Sequence, residues 1–187
     1  VGLRTGVTRE DFEKALSAGI LEGLCHRFPS RAGDSLLVES GRIHAIDGGN
    51  LILEIQQNSD TTYRVCDWGR LGLDGQPRKL HIKESMQCID FDDFEPVPLR
   101  ADPDAAEQII AECEHFRIRK FDWKEERTVD LSPAGVDSGL IHLLRGGLVA
   151  GQTVLKAGDS GLCPYAEDCP VEASAETAFL FTDRFTS

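Results

Sequence analysis

The stretch Gly33-Asp34-Ser35-Leu36-Leu37-Val38-Glu39-Ser40-Gly41-Arg42-Ile43-His44 returns in degraded form 125 positions later, as Gly158-Asp159-Ser160-Gly161-Leu162-Cys163-Pro164-Tyr165-Ala166-Glu167-Asp168-Cys169. The first copy ends in an imidazole and the second in a thiol. One structural unit is therefore expected twice, with a metal-type ligand kept only in the first, which implies one active site and one structural domain. Around the first copy, residues 35–38, 42–46, 51–57 and 61–68 form short runs rich in β-formers. They are separated by Glu-Ser-Gly, Asp-Gly-Gly-Asn and Asn-Ser-Asp, which are turn compositions. Short strands joined by tight turns predict a sandwich or closed barrel.

Outward from this block, Thr8 followed by Glu10, Asp11, Phe12, Ala15 and Leu16 has an N-cap hydroxyl, acids suited to a helix N-terminus and apolar residues at helical spacing. A short helix should follow Thr8 and end at Gly19. Another turn should run through Ile20, Leu21 and Leu24 before Pro29 forces an extended chain. Residues 83–89 read as one or two helical turns, Pro96 to Asp104 as a linker, and 105–113 as a short helix. Residues 115–123, 139–144, 147–150, 153–155 and 178–182 read as strands. The organisation expected is a helical lead-in over 1–31, a first β unit over 32–100, and a linker helix with a second β unit over 101–187.

The chain has 187 residues and a formal net charge of −12, which disfavours nucleic acid or an anionic membrane as partner, since either requires a basic surface. The six cysteines include no CxxC pair and their spacings are irregular, so reduced thiols are expected. No apolar run approaches the roughly 20 residues of a membrane span. A soluble, cytoplasmic protein is the expectation. The chain opens at Val1, in what reads as the entry to a helix, and is expected to be the C-terminal part of something longer.

Side chains alternate between the faces of a strand. In 42–46, His44 shares a face with Arg42 and Ile46; in 51–57, Glu54 and Gln56 share one with Ile52; in 61–68, Arg64 shares one with Thr62 and Cys66. If those faces line one barrel interior, an imidazole, a carboxylate, an amide and a guanidinium converge, and their burial would argue for a ligand or metal. If they face outward, they are ordinary solvated residues. Periodicity alone favours the outward reading, and a lone histidine is more often structural than a ligand.

The run from Gly33 to Ile46 is similar to the second cupin motif: Gly, five residues, Pro, any residue, Gly, two residues, His. The sequence after it is more specific, from Asn50-Leu51-Ile52-Leu53-Glu54-Ile55-Gln56-Gln57 through Thr61-Thr62-Tyr63-Arg64-Val65-Cys66-Asp67-Trp68-Gly69-Arg70 to Pro77-Arg78-Lys79-Leu80-His81-Ile82. It resembles the class I, cupin-type mannose-6-phosphate isomerases from about Val7 to Ile89 and, weakly, to the end of the chain. The resemblance implies a mainly β fold: part of a cupin jelly-roll barrel, a degenerate second cupin-like domain, and a few short helices. It implies interconversion of mannose 6-phosphate and fructose 6-phosphate through a cis-enediol, with one zinc ion per catalytic cupin. By the same resemblance His44 is a zinc ligand, Arg64 the active-site arginine, Glu54 a carboxylate facing the sugar, Arg70 a candidate for the phosphate and Gln56 a candidate substrate contact. Glu54 reads equally well as a carboxylate that orients His44 or pairs with Arg64.

The chain departs from the family pattern in three places. Glu39 stands at the cupin-motif proline, and Cys66 stands where an aromatic is usual. No Gln-x-His or His-x-His motif occurs anywhere, so the remaining zinc ligands are expected outside this chain. His26, His81, His115 and His142 are scattered and read as structural or surface residues. A catalytic zinc usually takes three protein ligands, so this chain alone is expected to be inactive and to need the missing N-terminal half of the barrel. Cys169 in place of histidine leaves the second unit without chemistry. The alternative from another class is a non-catalytic cupin that binds a sugar phosphate or serves as a structural or regulatory module.

Overall fold

Thr8 starts the first element as its sequence requires: its hydroxyl accepts from Asp11 N, while the Asp11 carboxylate accepts from Thr8 N, a reciprocal capping box. Helix α1 (Arg9–Ala18) ends at Gly19, whose left-handed φ of 71° lets its N–H reach back to the last turn. A 3-10 turn (Leu21–Leu24) follows. In the computed structural model, which describes residues 1–59, 61–132, 138–164 and 168–185, the chain divides into two units. The first comprises Val1–Ala32 and Val38–Val97; the second comprises Gly33–Leu37 with the described residues from Pro98 onward.

The first unit is built on a small core in which Leu3, Phe12 and Leu21 are buried. Ile43, Val65, Cys66, Met86, Ile89 and Phe91 pack against that core. Phe91 meets Phe12 edge-on at 5.6 Å. Helix α2 (Ile82–Cys88) falls in the region read as helical. The strands expected at 42–46, 51–57 and 61–68 do not form among the described residues, and of 35–38 only Ser35 makes a bridge, to Leu99. The reason is pairing: a strand needs a neighbour for its backbone groups and a surface for its apolar face. Leu51, Ile52 and Leu53 have neither, and Leu51 is fully exposed.

The second unit meets both requirements. One sheet has the order β1-β2-β9-β4-β7: β1 (Glu107–Glu112), β2 (Arg117–Trp123), β9 (Thr177–Asp183), β4 (Gly139–Arg145) and β7 (Ser160–Cys163). The other has the order β3-β8-β5-β6: β3 (Arg127–Asp130), β8 (Pro170–Ala173), β5 (Gly147–Ala150) and β6 (Thr153–Lys156). Every pairing is antiparallel. Two antiparallel sheets around one core make the jelly-roll architecture of cupins. The helix expected over 105–113 is instead strand β1, because pairing with β2, through a bulge between Ile109 and Ala111, overrides local helix propensity.

Aromatic side chains fill the interior of this unit. Phe179 stacks on Phe121 at 4.7 Å and meets Trp123 edge-on at 5.2 Å. Gly139 is required where it stands, since a Cβ there would lie 2.3 Å from the Phe181 ring. Asp183, only 2% exposed, takes two hydrogen bonds from Arg117, at 2.9 and 2.6 Å, and a third from Arg119 at 3.2 Å, which compensates its burial. The reduced thiols expected from the spacing are corrected at one pair. Cys163 and Cys169 form a disulfide with Cα atoms 6.0 Å apart; Cys25, Cys66, Cys88 and Cys113 are free. Spacing in sequence carries no information about which thiols meet in space. Of the second copy of the motif, Tyr165, Ala166 and Glu167 lie outside the described residues.

Phe179 is fully buried against two aromatic rings. Phe179→Ala should therefore cost about 3–5 kcal/mol, read as a lower urea midpoint with an unchanged slope.

Candidate active site

Four successive restraints place His44. Gly41 takes φ 87°, and a Cβ there would lie 2.6 Å from the carbonyl oxygen of Cys88, so only glycine allows this approach to the end of α2. The Gly41 carbonyl accepts from Asp90 N at 3.0 Å. Arg42 then forks onto Asp93 with bonds of 3.0 and 2.9 Å, and this donation raises the guanidinium pKa further above its usual value. Ile43 packs into the α1 core, and its carbonyl accepts from Gly2 N at 2.8 Å. His44 emerges exposed from this anchor, with Nδ1 3.1 Å from the carbonyl oxygen of Arg42. A carbonyl can only accept, so Nδ1 is the donor, and in the neutral ring the lone pair then lies on Nε2. That is the state a neutral imidazole needs to bind a metal.

Arg64 is held on the same small core, because Val65 and Cys66 pack into it. Its amide donates to His81 Nδ1 at 3.3 Å, and its carbonyl accepts from His81 N at 2.8 Å. Its side chain is about one quarter exposed, with Nη1 3.4 Å from the Lys79 carbonyl and Nε 3.9 Å from Asp67 Oδ1. Asp67 is buried, and Arg78 donates to it from Nε at 2.6 Å and also from Nη2. That donation holds the Asp67 carboxyl below the usual carboxylate range, with Arg64 and Arg70 adding to the positive field. The Asp67–Arg78 pair closes the loop that carries Trp68, Gly69 and Arg70. The Arg70 guanidinium lies 5.8 Å from the Trp68 ring centre. A cleft of about 330 Å³ opens here, lined by Leu21, Trp68, Arg70, Arg78 and Leu80 among others.

Of the five residues singled out in the sequence, Arg64 and Arg70 are brought around one carboxylate, that of Asp67. His44 and Arg64 each adjoin a residue of the α1 core. Glu54 and Gln56 lie on the exposed stretch without strand structure, where Gln56 Nε2 is 3.5 Å from the Ser59 carbonyl. Among the described residues, no hydrogen bond or ion pair joins His44 to Glu54, Gln56, Arg64 or Arg70. Asp67 and Arg78, which no sequence reading assigned a role, and His81, expected only to be a structural or surface histidine, hold the Arg64 segment. Their sequence signal is their place in the runs Thr61 to Arg70 and Pro77 to Ile82, which carry the family resemblance.

As to metal, no group of three or more His, Cys, Asp or Glu side chains suited to an ion occurs among the described residues. His44 fits as one ligand through Nε2, and the described residues do not complete a set around it.

No protein-family profile matches the chain. Known proteins do. It is 40% identical over 120 residues to the Probable mannose-6-phosphate isomerase GmuF of Bacillus subtilis, a match covering 63% of this chain and 38% of that protein. It is 32% identical over 165 residues to the mannose-6-phosphate isomerase ManA of the same organism, covering 84% of this chain and 51% of that protein. The crystal structure of the mannose 6-phosphate isomerase from Bacillus subtilis superposes with a TM-score of 0.79 at 24% identity, over 98% of this chain and 58% of that one. The fold is that of a cupin-class protein. By sequence the chain is similar to mannose-6-phosphate isomerases, and its fold agrees with that likeness. It spans about half the length, or less, of the relatives it matches.

The Asp67 carboxyl has a lowered pKa in the fold, so the stability it confers is present above the unfolded value of about 3.9 and is lost as pH falls through the lower folded value. Asp67→Asn should accordingly lower the urea midpoint at pH 7. The gap between variant and natural protein should narrow steadily below about pH 4.

Proposed function

We propose that the protein carrying this chain is an aldose–ketose isomerase that interconverts mannose 6-phosphate and fructose 6-phosphate by moving a proton between C1 and C2 through a cis-enediol. In this reading His44 gives Nε2 to a zinc ion whose other ligands lie outside this chain. The ion, when bound, supplies a Lewis acid for the sugar oxygens. The Glu54 carboxylate takes the proton from one carbon and returns it to the next. The Arg64 guanidinium faces the negative charge that develops on the enediolate oxygen, where a preorganised cation contributes most. Arg70 takes the phosphate dianion, and the Gln56 amide hydrogen-bonds a sugar hydroxyl.

The observation that carries the reading is the contact of His44 Nδ1 with the Arg42 carbonyl, 3.1 Å away. The Nδ1–H is engaged on the backbone of its own segment, which leaves Nε2 for a ligand. The relatives named for this one reaction support it.

The partners follow from the same account. The substrate is a phosphorylated sugar, and the strands that pair with 51–57 come from residues beyond this chain, the N-terminal half of the barrel. The exposed apolar side chains of Leu51, Ile52 and Leu53 are the surface those strands would cover. The chain by itself is inactive on this reading, for want of those ligands. The place of action is the cytoplasm, where charged sugar phosphates are confined; no helix among the described residues is long and apolar enough to cross a membrane. The second reading, a non-catalytic cupin that binds a sugar phosphate or acts as a structural or regulatory module, draws on the incomplete ligand set around His44.

Three measurements separate these readings. Arg64→Ala in the full-length protein should lower kcat by about 10²–10³-fold while leaving the urea midpoint close to that of the natural protein; equal turnover removes the assigned role. Chelation should abolish isomerase activity and added zinc should restore it. His44→Ala should lose at least tenfold in zinc affinity, and metal content unaffected by this substitution favours the non-catalytic cupin.

A further inference from the structure

One histidine satisfies both backbone groups of Arg64. The Arg64 amide donates to the imidazole Nδ1 of His81 at 3.3 Å, and the amide of His81 donates to the Arg64 carbonyl at 2.8 Å. The two residues are 17 positions apart, so this is a tertiary clamp and not a turn. His81 is itself fixed. It sits at the start of α2, its carbonyl accepts from Ser85 N at 2.8 Å, and the helix it begins is anchored through Met86 in the α1 core. Arg9 adds a bond of 2.7 Å from its guanidinium to the Met86 carbonyl. The Tyr63 ring lies 6.1 Å from the imidazole, beside the clamp. By contrast, among the described residues the Arg64 side chain makes only long polar contacts, 3.4 Å to the Lys79 carbonyl and 3.9 Å to Asp67. What fixes this residue is its backbone.

We propose that His81 is a positioning residue for Arg64, acting as the Nε2–H tautomer whose Nδ1 lone pair accepts the Arg64 amide and so sets where the guanidinium projects. The proposal rests on the catalytic role assigned to Arg64 above for its consequence in turnover, but the clamp itself can be tested without it. An imidazole protonated at Nδ1 has no lone pair to offer the amide and would push the two segments apart. Displacement of a positioned group by about 1 Å costs about 10²-fold in rate. An asparagine at 81 can present Oδ1 as a substitute acceptor, whereas a leucine fills similar space with none.

The experiment uses the full-length protein in three forms: natural, His81→Leu and His81→Asn. The expected result is a ¹⁵N spectrum in which His81 Nδ1 is unprotonated and Nε2 protonated. Exchange of the Arg64 amide with solvent should be at least about tenfold faster in His81→Leu. In His81→Leu, kcat should fall by about 10–100-fold with KM changed less than threefold, and His81→Asn should recover most of both losses. A proton on Nδ1 in the natural protein, or an Arg64 amide that exchanges equally fast in all three forms, overturns the clamp. If the amide is released in His81→Leu and turnover does not change, the clamp exists and Arg64 is not the group that needs it. That outcome counts against the catalytic assignment, which Arg64→Ala tests separately.

Discussion

A β-strand persists only where its backbone groups find a neighbouring strand and its side chains find an apolar surface. This constraint sorts the chain. In β9 all seven residues are buried, with β2 on one side and β4 on the other, and Phe179 and Phe181 point into the aromatic core. The stretch 51–57 opens on the apolar run Leu51-Ile52-Leu53, yet among the described residues it has no paired neighbour, forms no strand and is largely exposed. The difference lies in partners and not in propensity.

Where strands do not form, other interactions supply order around the candidate site. The His44 segment is fixed by a glycine approach, a forked arginine and one core isoleucine: Gly41 on α2, Arg42 on Asp93, Ile43 in the α1 core. The Arg64 segment is fixed by Val65 in the same core, by the His81 clamp and by the loop that Asp67 and Arg78 close. Buried charge stabilises a loop only when it is paired and hydrogen-bonded, and Asp67 meets that condition through two donations from one guanidinium. Preorganisation of this kind is what an isomerase of the proposed class needs, because its cation must face charge that exists only briefly.

Much of the architecture was legible in the sequence where the signal was local. The Thr8 cap with Asp11, the Gly19 terminus and the apolar runs of β2, β4, β5, β6 and β9 all carry their cause within a few residues. Strands β3 and β8 were not legible: Arg127–Asp130 is short and charged, and Pro170–Ala173 opens on a proline, so only their mutual pairing makes them strands. Strand β1 was misread because Glu107–Glu112 has helical composition and is held extended by β2. The Cys163–Cys169 bond was invisible for the same reason, since proximity in space is not written in spacing. At the site, resemblance to a family singled out His44, Arg64, Glu54, Arg70 and Gln56. It did not show why Asp67, Arg78 and His81 matter, because each acts on a residue 11 or 17 positions away.

The central claim is that the His44 imidazole and the Arg64 guanidinium serve one reaction centre. A crystal structure of the full-length protein with zinc and a sugar-phosphate analogue tests it most directly. The account predicts the metal on His44 Nε2, and the Arg64 guanidinium within hydrogen-bond distance of the same bound analogue. Density that leaves His44 unligated, or that turns the Arg64 guanidinium away from the analogue, contradicts it.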